Sequence, residues 1–419
     1  MTAAHLLLDG LDTIQPWHLD LYQDLHRHPE LSFQEVRTAG LVSDRLNQLG
    51  YDRHTGIGGT GLVGILHNGD GPTVLARADM DALPVREATG LPYASTATAT
   101  DASGHETPVM HACGHDMHVT CLLAAAQLLA DHQQAWSGTF IALFQPGEEL
   151  GTGARTMVKS GLADVIPKPD VALGQHVMGL PYDTVASRPG AALSAADSIR
   201  VTLHGRGTHG SMPHYGVDPV LLGSAVVMRL NAIVSRELAP GHFGVVTVGS
   251  FQSGSKSNVI PETTTLLLNL RAYDDRTRRQ LRVAIERIVR AECDASGSPA
   301  PPEFEYTDPF PVTENSQDVY QKVSTGFTEQ FGERAVLMEP STGSEDFSDI
   351  PNALGVPYLF WIWGGFDPDT YHRAEADGTL SKVIPGNHAS TFAPVMEPTF
   401  RTGTSAMTTA LMSYLGCRT

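Results

Sequence analysis

Residues 139–176 read TFIALFQPGEELGTGARTMVKSGLADVIPKPDVALGQH, and the order of their apolar and polar runs indicates the fold class. Thr139–Gln145 and Asp170–Gln175 are short apolar runs that predict strands, and Ala154–Gly161 between them predicts a helix. A strand, a helix and a second strand in this order are typical of an α/β domain with a largely parallel sheet. We therefore predict an α/β fold.

Similar elements precede this unit. Thr13–Arg27 has apolar residues at helical spacing, and Ser32 is expected to cap a second helix that runs to about Leu49. Gly61–His67 and Pro72–Ala78 predict strands. Asn68-Gly69 between them is a strong hairpin signal, so these two strands are expected to pair.

A different pattern interrupts the α/β order. Its predicted elements follow the sequence strand, helix, strand, strand, helix, strand, the split arrangement of a ferredoxin-like domain. They are Ser198–His204, Asp218–Ser235 (capped by Asp218), Phe243–Phe251, Thr263–Ala272, Arg276–Ala295 and Glu303–Tyr306. An apolar strand and a final helix then return to the first pattern. The sequence thus predicts one domain from residues 1–186 and 310–419, with a second domain, 187–309, inserted into it.

Composition excludes several classes of protein. The chain has 419 residues, 41% of them hydrophobic and 18% charged, as expected of an ordinary globular protein of about two domains. Its net charge of −18 argues against nucleic acid and anionic membranes as partners. No apolar run approaches the roughly 20 residues of a membrane span, and no basic segment precedes the short apolar N-terminus. The four cysteines form no CxxC pair. We expect a cytoplasmic protein.

The strongest local signal is HACGHDMH at residues 111–118. Cys113 and His115 flank a glycine, so a tight turn can direct both side chains at one point, and a thiolate with an imidazole suits zinc. Asp116 is expected to cap the following helix and to orient a ligand. The plainer alternative is a helix N-terminus with incidental histidines. A cysteine and three histidines within eight residues favour the metal site.

Other polar groups follow predicted strands. Glu148 and Glu149 come directly after Thr139–Gln145, and His176 ends Asp170–Gln175. Two adjacent acids can have different roles, so that one binds a metal ion and the other transfers protons. Each signal alone also fits a solvated loop or a core histidine. Because sites in open α/β sheets lie beyond the carboxyl ends of the strands, their shared position favours one common site.

The ordered set of motifs resembles the M20 metallopeptidase family, and more narrowly its amidohydrolase branch of aminoacylases, hippurate hydrolases and plant auxin-conjugate hydrolases. The resemblance runs from about residue 20 to the end of the chain. The motifs that carry it are HRHPELS (26–32), RADMDALP (77–84), CGHD (113–116), Glu148-Glu149, His209-xxxx-His214 and NVIP (258–261).

This resemblance implies a zinc-peptidase-like catalytic domain with a central mixed, largely parallel sheet, and an inserted ferredoxin-like lid that commonly dimerises. It implies two divalent metal ions, zinc in the first place, with manganese, cobalt and nickel also used in the family. The family's ligands fall on Cys113, His115, Glu149, His176 and His388. Cys113 takes the place of a carboxylate that bridges the ions in other branches, and Asp81 falls on an acid that orients a ligand.

The resemblance also implies the roles of residues that bind no metal. Glu148 falls on the catalytic base, and His209 of the lid matches a residue that stabilises the oxyanion, often in the partner subunit. Asn258 and Arg271 match positions that hold the substrate, with Arg271 a candidate clamp for its carboxylate. Leu150 stands where the family usually has glycine, which leaves substrate choice open.

The implied function is hydrolysis of the amide bond of N-acyl amino acids, with metal-activated water and a homodimer formed through the lid. A dipeptidase or exopeptidase with the same metal centre is an alternative. A non-catalytic binding protein that has kept only the fold is a second one, against which the intact set of metal-binding and acidic residues argues.

Overall fold

The computed structural model describes residues 3–416. The strands are β1 (Asp52–Ile57), β2 (Gly61–Asn68), β3 (Thr73–Asp79), β4 (Thr98–Thr100), β5 (Glu106–Pro108), β6 (Gly138–Gln145), β7 (Val171–Pro181), β8 (Val185–Ser187), β9 (Gly190–Leu193), β10 (Ala195–His204), β11 (Thr208–His209), β12 (Gly244–Ser253), β13 (Val259–Ile260), β14 (Thr263–Ala272), β15 (Glu303–Phe310), β16 (Thr313–Asn315), β17 (Ala335–Leu337) and β18 (Tyr358–Phe366).

The α-helices are α1 (Ala3–Leu8), α2 (Leu11–Arg27), α3 (Val36–Gln48), α4 (His115–Asp131), α5 (Gly153–Lys159), α6 (Leu162–Val165), α7 (Pro219–Ala232), α8 (Asp275–Ala295), α9 (Gln317–Phe331), α10 (Asp349–Leu354), α11 (Pro368–Ala376), α12 (Leu380–Val383) and α13 (Met396–Met412). Two compact units result. The first comprises residues 1–192, 314–339 and 346–419, and the second comprises residues 193–313 and 340–345. The domain bounds drawn from the sequence did not include a return of the chain to the second unit at 340–345.

An eight-stranded mixed sheet forms the centre of the first unit, in the order β1-β2-β6-β3-β7-β18-β8-β17. Strands β6, β3, β7 and β18 are parallel neighbours, and β2 pairs with β6 antiparallel. All eight residues of β6 are buried, as expected for a strand covered on both faces. Because parallel strands end at the same edge, the loops after β3 and β6 leave the sheet on one side. The predicted α/β fold with a mixed, largely parallel sheet is confirmed.

The predicted hairpin between β2 and β3 is wrong. Strand β6 lies between them and pairs with both, in antiparallel register with β2 and parallel register with β3. The Asn68 side chain, which the hairpin signal assigned to a tight turn, donates instead to the backbone carbonyls of Gln133 and Trp136 at 2.7 Å. The turn is therefore hydrogen-bonded to the segment that leads into β6. The local signal of Asn68-Gly69 predicts a pairing of β2 with β3, but the fully buried strand β6 takes the place between them.

Helix α4 fills the core beside this sheet. Fourteen of its 17 residues are buried, so it is enclosed around its whole circumference, and beyond its first two turns the buried residues are nearly all apolar. It packs against α2 and α13. A rigid, enclosed helix therefore starts at His115, and the residues at its N-terminus are fixed in place.

The second unit has the predicted β-α-β-β-α-β order. Its antiparallel sheet runs β12-β14-β10-β15. Buried and more exposed residues alternate along β14, and its buried side pairs with apolar residues of α7 and α8. Asp218 caps α7 as predicted, since its carboxylate accepts from the amides of Val220 and Leu221. The ferredoxin-like arrangement is confirmed.

One described helical stretch, Pro219–Glu237, is long and apolar enough to cross a membrane by length and composition, although the sequence reading identified none. A single such helix is weak evidence for a membrane span.

Candidate metal centre

Three strand ends of the first unit carry the polar residues. Strand β6 is followed by a 3₁₀ turn, Glu148–Leu150, that holds both glutamates, and β3 is followed by Asp81. Strand β7 does not end at His176, as the sequence suggested, but continues to Pro181. Its pairing with β3 stops at Arg77 and Gly174. His176 therefore lies beyond the part of β7 that pairs with β3, although β3 itself stays paired with β6 as far as Asp79.

The turn before α4 depends on Gly114. This residue has φ +82°, a conformation that favours glycine, and an added Cβ would lie 2.4 Å from Cγ1 of Val177. Cys113 and His115 on either side are both buried. The close approach to Val177 brings this turn against the strand that carries His176. The glycine between the two candidate ligands is thus required by backbone geometry and by space.

Several groups of candidate donor atoms lie close together, among them His115 with Glu148 and Glu149, and two of the groups share one sulfur. One ligand atom each from Cys113, His115 and His176 lies within 4.8 Å of the others, and the same holds for Cys113, Glu149 and His388. Cys113 Sγ is 3.3 Å from His176 Nε2. His388 Nε2 is 3.3 Å from Glu149 Oε2. All five residues predicted as ligands are therefore brought together, and Cys113 is common to both groups.

The chemistry of this donor set fits divalent cations. His115 Nε2 and Glu149 Oε1 are buried and have no hydrogen-bond partner among the described residues. Buried polar atoms normally have one. Burial alone would lower the pKa of His115, but the carboxylates of Asp79, Asp81 and Glu149 raise it to about 10. Burial also raises the pKa of the Cys113 thiol and brings the pKa of Glu149 to about 8. Because metal ligands must be deprotonated, a cation would compete with protons for these donor atoms.

Asp81 connects the candidate ligand His115 to residues 147–150, which we call the acidic turn. Its Oδ1 lies 3.2 Å from Nδ1 of His115, which fixes the ring and leaves Nε2 directed at the other donors. The same carboxylate accepts the amide hydrogens of Glu148 at 3.2 Å and Glu149 at 3.1 Å. Ser32, predicted as a helix cap, instead donates its hydroxyl to Asp81 at 2.6 Å, and α3 begins only at Val36.

Asp116 does not have the predicted role. It lies inside the first turn of α4, after Gly114 as the N-cap residue. One of its oxygens is 2.7 Å from Nδ1 of His26, whose Nε2 is 3.1 Å from Glu87. Burial opposes protonation of His26, but the two carboxylates raise its pKa to about 9. Asp116 thus fixes α2 to α4 beneath the centre, and Asp81 is the acid beside a candidate ligand.

His118 lies beside the candidate metal centre, but its two ring nitrogens already have other partners. Its Nδ1 bonds Asp79, and its Nε2 accepts the amide hydrogen of Val177 at 3.0 Å. Asp79 is in turn 2.7 Å from Nη1 of Arg77. Both ring nitrogens of His118 are therefore occupied, and the histidine holds the backbone next to His176.

Asn387 is a residue that the sequence analysis missed. Its amide nitrogen lies 3.3 Å from the carbonyl of Cys113, 3.7 Å from the Cys113 sulfur and 3.1 Å from the carbonyl of Val177. The neighbouring His388 has φ +72° and donates its backbone amide to Ala112. Asn387 therefore ties together the segments that carry three candidate ligands. A lone Asn before a loop histidine gives no signal of this role in the sequence.

The remaining predicted residues lie in the second unit. His209 is exposed, and its Nδ1 lies 2.7 Å from the hydroxyl of Ser211 and 3.2 Å from the backbone amide of the same residue. The carbonyl of Asn258 accepts from Gly210 at 2.7 Å, so Asn258 adjoins the same turn. Nη1 of Arg271 lies 2.8 Å from the carbonyl of Thr342. His209 and Asn258 thus share one corner of this unit.

Thiolate, imidazole and carboxylate donors at one edge of a mixed α/β sheet form a set that suits divalent cations. A family model described as Peptidase family M20/M25/M40 matches residues 75–385. The chain is 35% identical to the putative amidohydrolase YhaA of Bacillus subtilis, over 79% of this chain and 81% of that protein. It is 36% identical to the hippurate hydrolase of Campylobacter jejuni, over 80% and 85%. It is 33% identical to thermostable carboxypeptidase 2 of Saccharolobus solfataricus, over 86% and 89%.

A solved structure has the same fold along the whole chain. It is a putative aminohydrolase from methicillin-resistant Staphylococcus aureus, with a TM-score of 0.84 and 30% identity, covering 99% of this chain and 100% of that one. The protein described here belongs to peptidase family M20/M25/M40. It is an enzyme, a metallo-amidohydrolase, and the resemblance inferred from its motifs is confirmed.

Proposed function

We propose that this enzyme hydrolyses the amide bond of N-acyl amino acids and releases a carboxylic acid and a free amino acid. The observation that carries the proposal is the shared position of Cys113 in two groups of metal-binding atoms, with a second carboxylate, Glu148, beside them. Glu148 Oε2 lies 3.9 Å from Nε2 of His115. Two relatives have names that support the proposal: one is a hippurate hydrolase, and YhaA is a putative amidohydrolase.

The cations would be held by two sets of residues. Cys113, His115 and His176 would form the first set, and Cys113, Glu149 and His388 the second, so that the Cys113 sulfur belongs to both sets. A thiolate and imidazoles favour zinc; manganese, cobalt and nickel are the other candidates. A bound divalent cation supplies a lowered pKa for water, from about 15.7 towards 7, and polarises a carbonyl oxygen.

Glu148 would transfer the proton. The residue is buried, at 5% exposure, on a turn whose amides are held by Asp81. A carboxylate in this position accepts the proton of the attacking water and then returns it to the amide nitrogen as the C–N bond breaks. Asp81 keeps the turn and the His115 ring in place while the proton moves.

His209, Asn258 and Arg271 would act on the substrate. The contacts of His209 with Ser211 involve Nδ1, so Nε2 would donate a hydrogen bond to the oxyanion of the tetrahedral intermediate, a contribution of about 3 kcal/mol in comparable sites. We propose that Asn258 orients the acyl amino acid and that Arg271 pairs with its carboxylate, since a guanidinium and a carboxylate form a strong, directed pair. All three lie in the unit that we propose is the lid.

We propose that two copies of the chain associate through this lid. Leu221 and Met228 of α7 are 71% and 75% exposed, and Val234 beyond the helix is also exposed. Exposed apolar side chains grouped on one helix are typical of an interface. We further propose a cytoplasmic enzyme that acts on a small substrate, and neither on nucleic acid nor at a membrane; the net charge of −18 supports this.

The proposed activity can be tested with a panel of substrates. N-acetyl, N-benzoyl and longer N-acyl amino acids, each with zinc or manganese, are expected to release free amino acid, and dipeptides with a free α-amine are expected to react at least tenfold more slowly. Faster cleavage of the dipeptides would instead indicate an exopeptidase. A protein that binds metal and cleaves no member of the panel would contradict amide hydrolysis.

The role of His209 can be tested by mixing subunits. If His209 acts on the active site of the partner subunit, His209→Ala and Glu148→Gln homodimers are each inactive. A heterodimer of the two variants contains one complete site out of two, so it should recover up to about half of the activity of a parental dimer. The matched control is His214→Ala, which alters the neighbouring exposed histidine and should retain activity. Absence of recovery, after subunit exchange has been verified by mass, would contradict action in trans.

A further inference from the structure

Glu35 is a buried carboxylate to which none of the roles above applies. It is 0% exposed and lies at the N-cap position of α3, yet its side chain does not cap that helix. One oxygen accepts the backbone amides of Phe33 and Gly147, both at 2.9 Å, and the other accepts the hydroxyl of Thr60 at 2.5 Å. An enclosed carboxylate is costly unless it is well bonded. Here one of its bonds reaches the turn that carries Glu148.

Gly147, Glu148 and Glu149 present three consecutive backbone amides, and two buried carboxylates accept all of them. Glu35 accepts the first, and Asp81 accepts the second and third. The two carboxylates are also connected along the chain, because Ser32, three residues before Glu35, donates to Asp81. The acidic turn is thus held at its first amide by Glu35, from the segment that precedes α3, and at the next two amides by Asp81, which the same segment contacts through Ser32.

Packing reinforces this hold. Gly147 has φ +61°, and an added Cβ there would lie 2.6 Å from the ring of Phe33. Phe33 itself has φ +63°, one of two described non-glycine residues with a positive φ. Such a conformation persists only where the surroundings fix it. The amide of Phe33 donates to Glu35, so the same carboxylate that binds Gly147 also holds the residue whose ring covers it.

We propose that Glu35 is a positioning residue for catalysis, which sets the place of the Glu148 carboxylate through its hydrogen bond to the Gly147 amide. The inference rests on the proposed role of Glu148 as the base. A shift of the turn by about 1 Å would cost on the order of 10²-fold in rate, because the carboxylate must meet the reacting atoms in one geometry. Burial and the nearby Asp81 raise the pKa of Glu35 to about 7. A single oxygen of Glu35 accepts both backbone amides, and a glutamine side chain of the same shape also has such an oxygen.

Three substitutions separate hydrogen bonding from charge. Glu35→Gln keeps an oxygen for the amides of Phe33 and Gly147, and Glu35→Asp keeps the charge but is one methylene too short. Glu35→Ala removes both. We expect kcat to fall about 10- to 100-fold in the Ala and Asp variants with KM within threefold of the parent, and we expect the Gln variant to retain kcat within threefold.

Glu30→Ala is the matched control. Glu30 lies on the same segment and accepts two backbone amides, Arg37 at 2.9 Å and Thr38 at 2.8 Å, but it has no contact with the acidic turn. Its loss should lower thermal stability and leave kcat within threefold. An equal fall of kcat in Glu30→Ala and Glu35→Ala would overturn the proposal, as would a Gln variant that is as impaired as the Asp variant. If Glu35→Ala does not fold, the Gln and Asp pair decides.

Amide hydrogen exchange gives a readout that needs no substrate. In Glu35→Ala the peptide that covers residues 145–150 is expected to exchange at least tenfold faster than in the parent, whereas Glu30→Ala and Glu35→Gln should leave it unchanged. Unchanged exchange in the Ala variant would overturn the positioning role. Because this measurement is independent of turnover, failure of the proposed substrate class can be told apart from failure of the role of Glu35.

Discussion

Replacement of Glu148 by Gln is expected to lower kcat by about 10²- to 10⁴-fold and to leave metal content unchanged. The amide has the size of the carboxyl group but cannot accept a proton from water. Glu148 is not one of the five residues whose donor atoms form the two groups around Cys113, so the cations should remain. Initial rates with the best substrate of the panel, together with metal analysis of the same preparation, measure both quantities.

The control for this variant is Glu30→Gln, because Glu30 caps the first turn of α3 away from the centre. It should retain the parental kcat. Two results would contradict the role of Glu148 as the base: a rate within tenfold of the parent, or a loss of rate that is fully explained by loss of metal. A KM that rises while kcat is unchanged would indicate substrate binding and not proton transfer.

Replacement of Cys113 by Ser is expected to remove most of the bound metal and, with it, at least 10²-fold of the activity. The Cys113 sulfur is the atom that the two donor groups share, and a hydroxyl is a far poorer ligand for zinc than a thiolate. Zinc should raise the midpoint of thermal unfolding in the parent and not in the variant, because a ligand stabilises the folded state only as far as it binds. Each tenfold loss of affinity lowers that stabilisation by about 1.4 kcal/mol.

Cys121→Ser is the matched control. Cys121 is also buried and free, but it lies in the middle of α4 with its sulfur 3.7 Å from the carbonyl of Phe400. This variant should bind metal like the parent even if its core is less stable. Cys113→Asp is expected to regain part of the metal, since a carboxylate can bridge two cations. Full metal content and activity in Cys113→Ser would contradict the assignment of Cys113 as a ligand common to both sets.

The sequence predicted those parts of the protein that a short segment specifies. HACGHDMH places Cys113 and His115 on either side of a required glycine, and the apolar strands place Glu148 at a shared edge of the sheet. The β-α-β-β-α-β order likewise predicted the second unit. Each of these depends on residues close together in the chain, so periodicity and turn chemistry are enough to find them.

Other features depend on partners far away in the chain. The Asn68-Gly69 signal indicates a turn but not that β6, 70 residues later, separates the two strands. Ser32 and Asp116 have the chemistry of helix caps, yet Asp81 and His26 bind them instead. Glu35 and Asn387 are acidic and amide residues without a local motif, and only their buried contacts with Gly147 and Cys113 distinguish them. A single sequence contains no signal for such pairs.

The place of β6 between β2 and β3 affects how the chain folds as it is synthesised. Strands β2 and β3 follow one another closely in sequence, but the strand that joins them is made only after α4. A nascent chain that ends before residue 138 therefore exposes two apolar strands whose edges lack their native neighbour. Such edges pair readily with each other or with other chains. Chaperone capture during translation should accordingly be strongest before β6 emerges from the ribosome and should fall once it has done so.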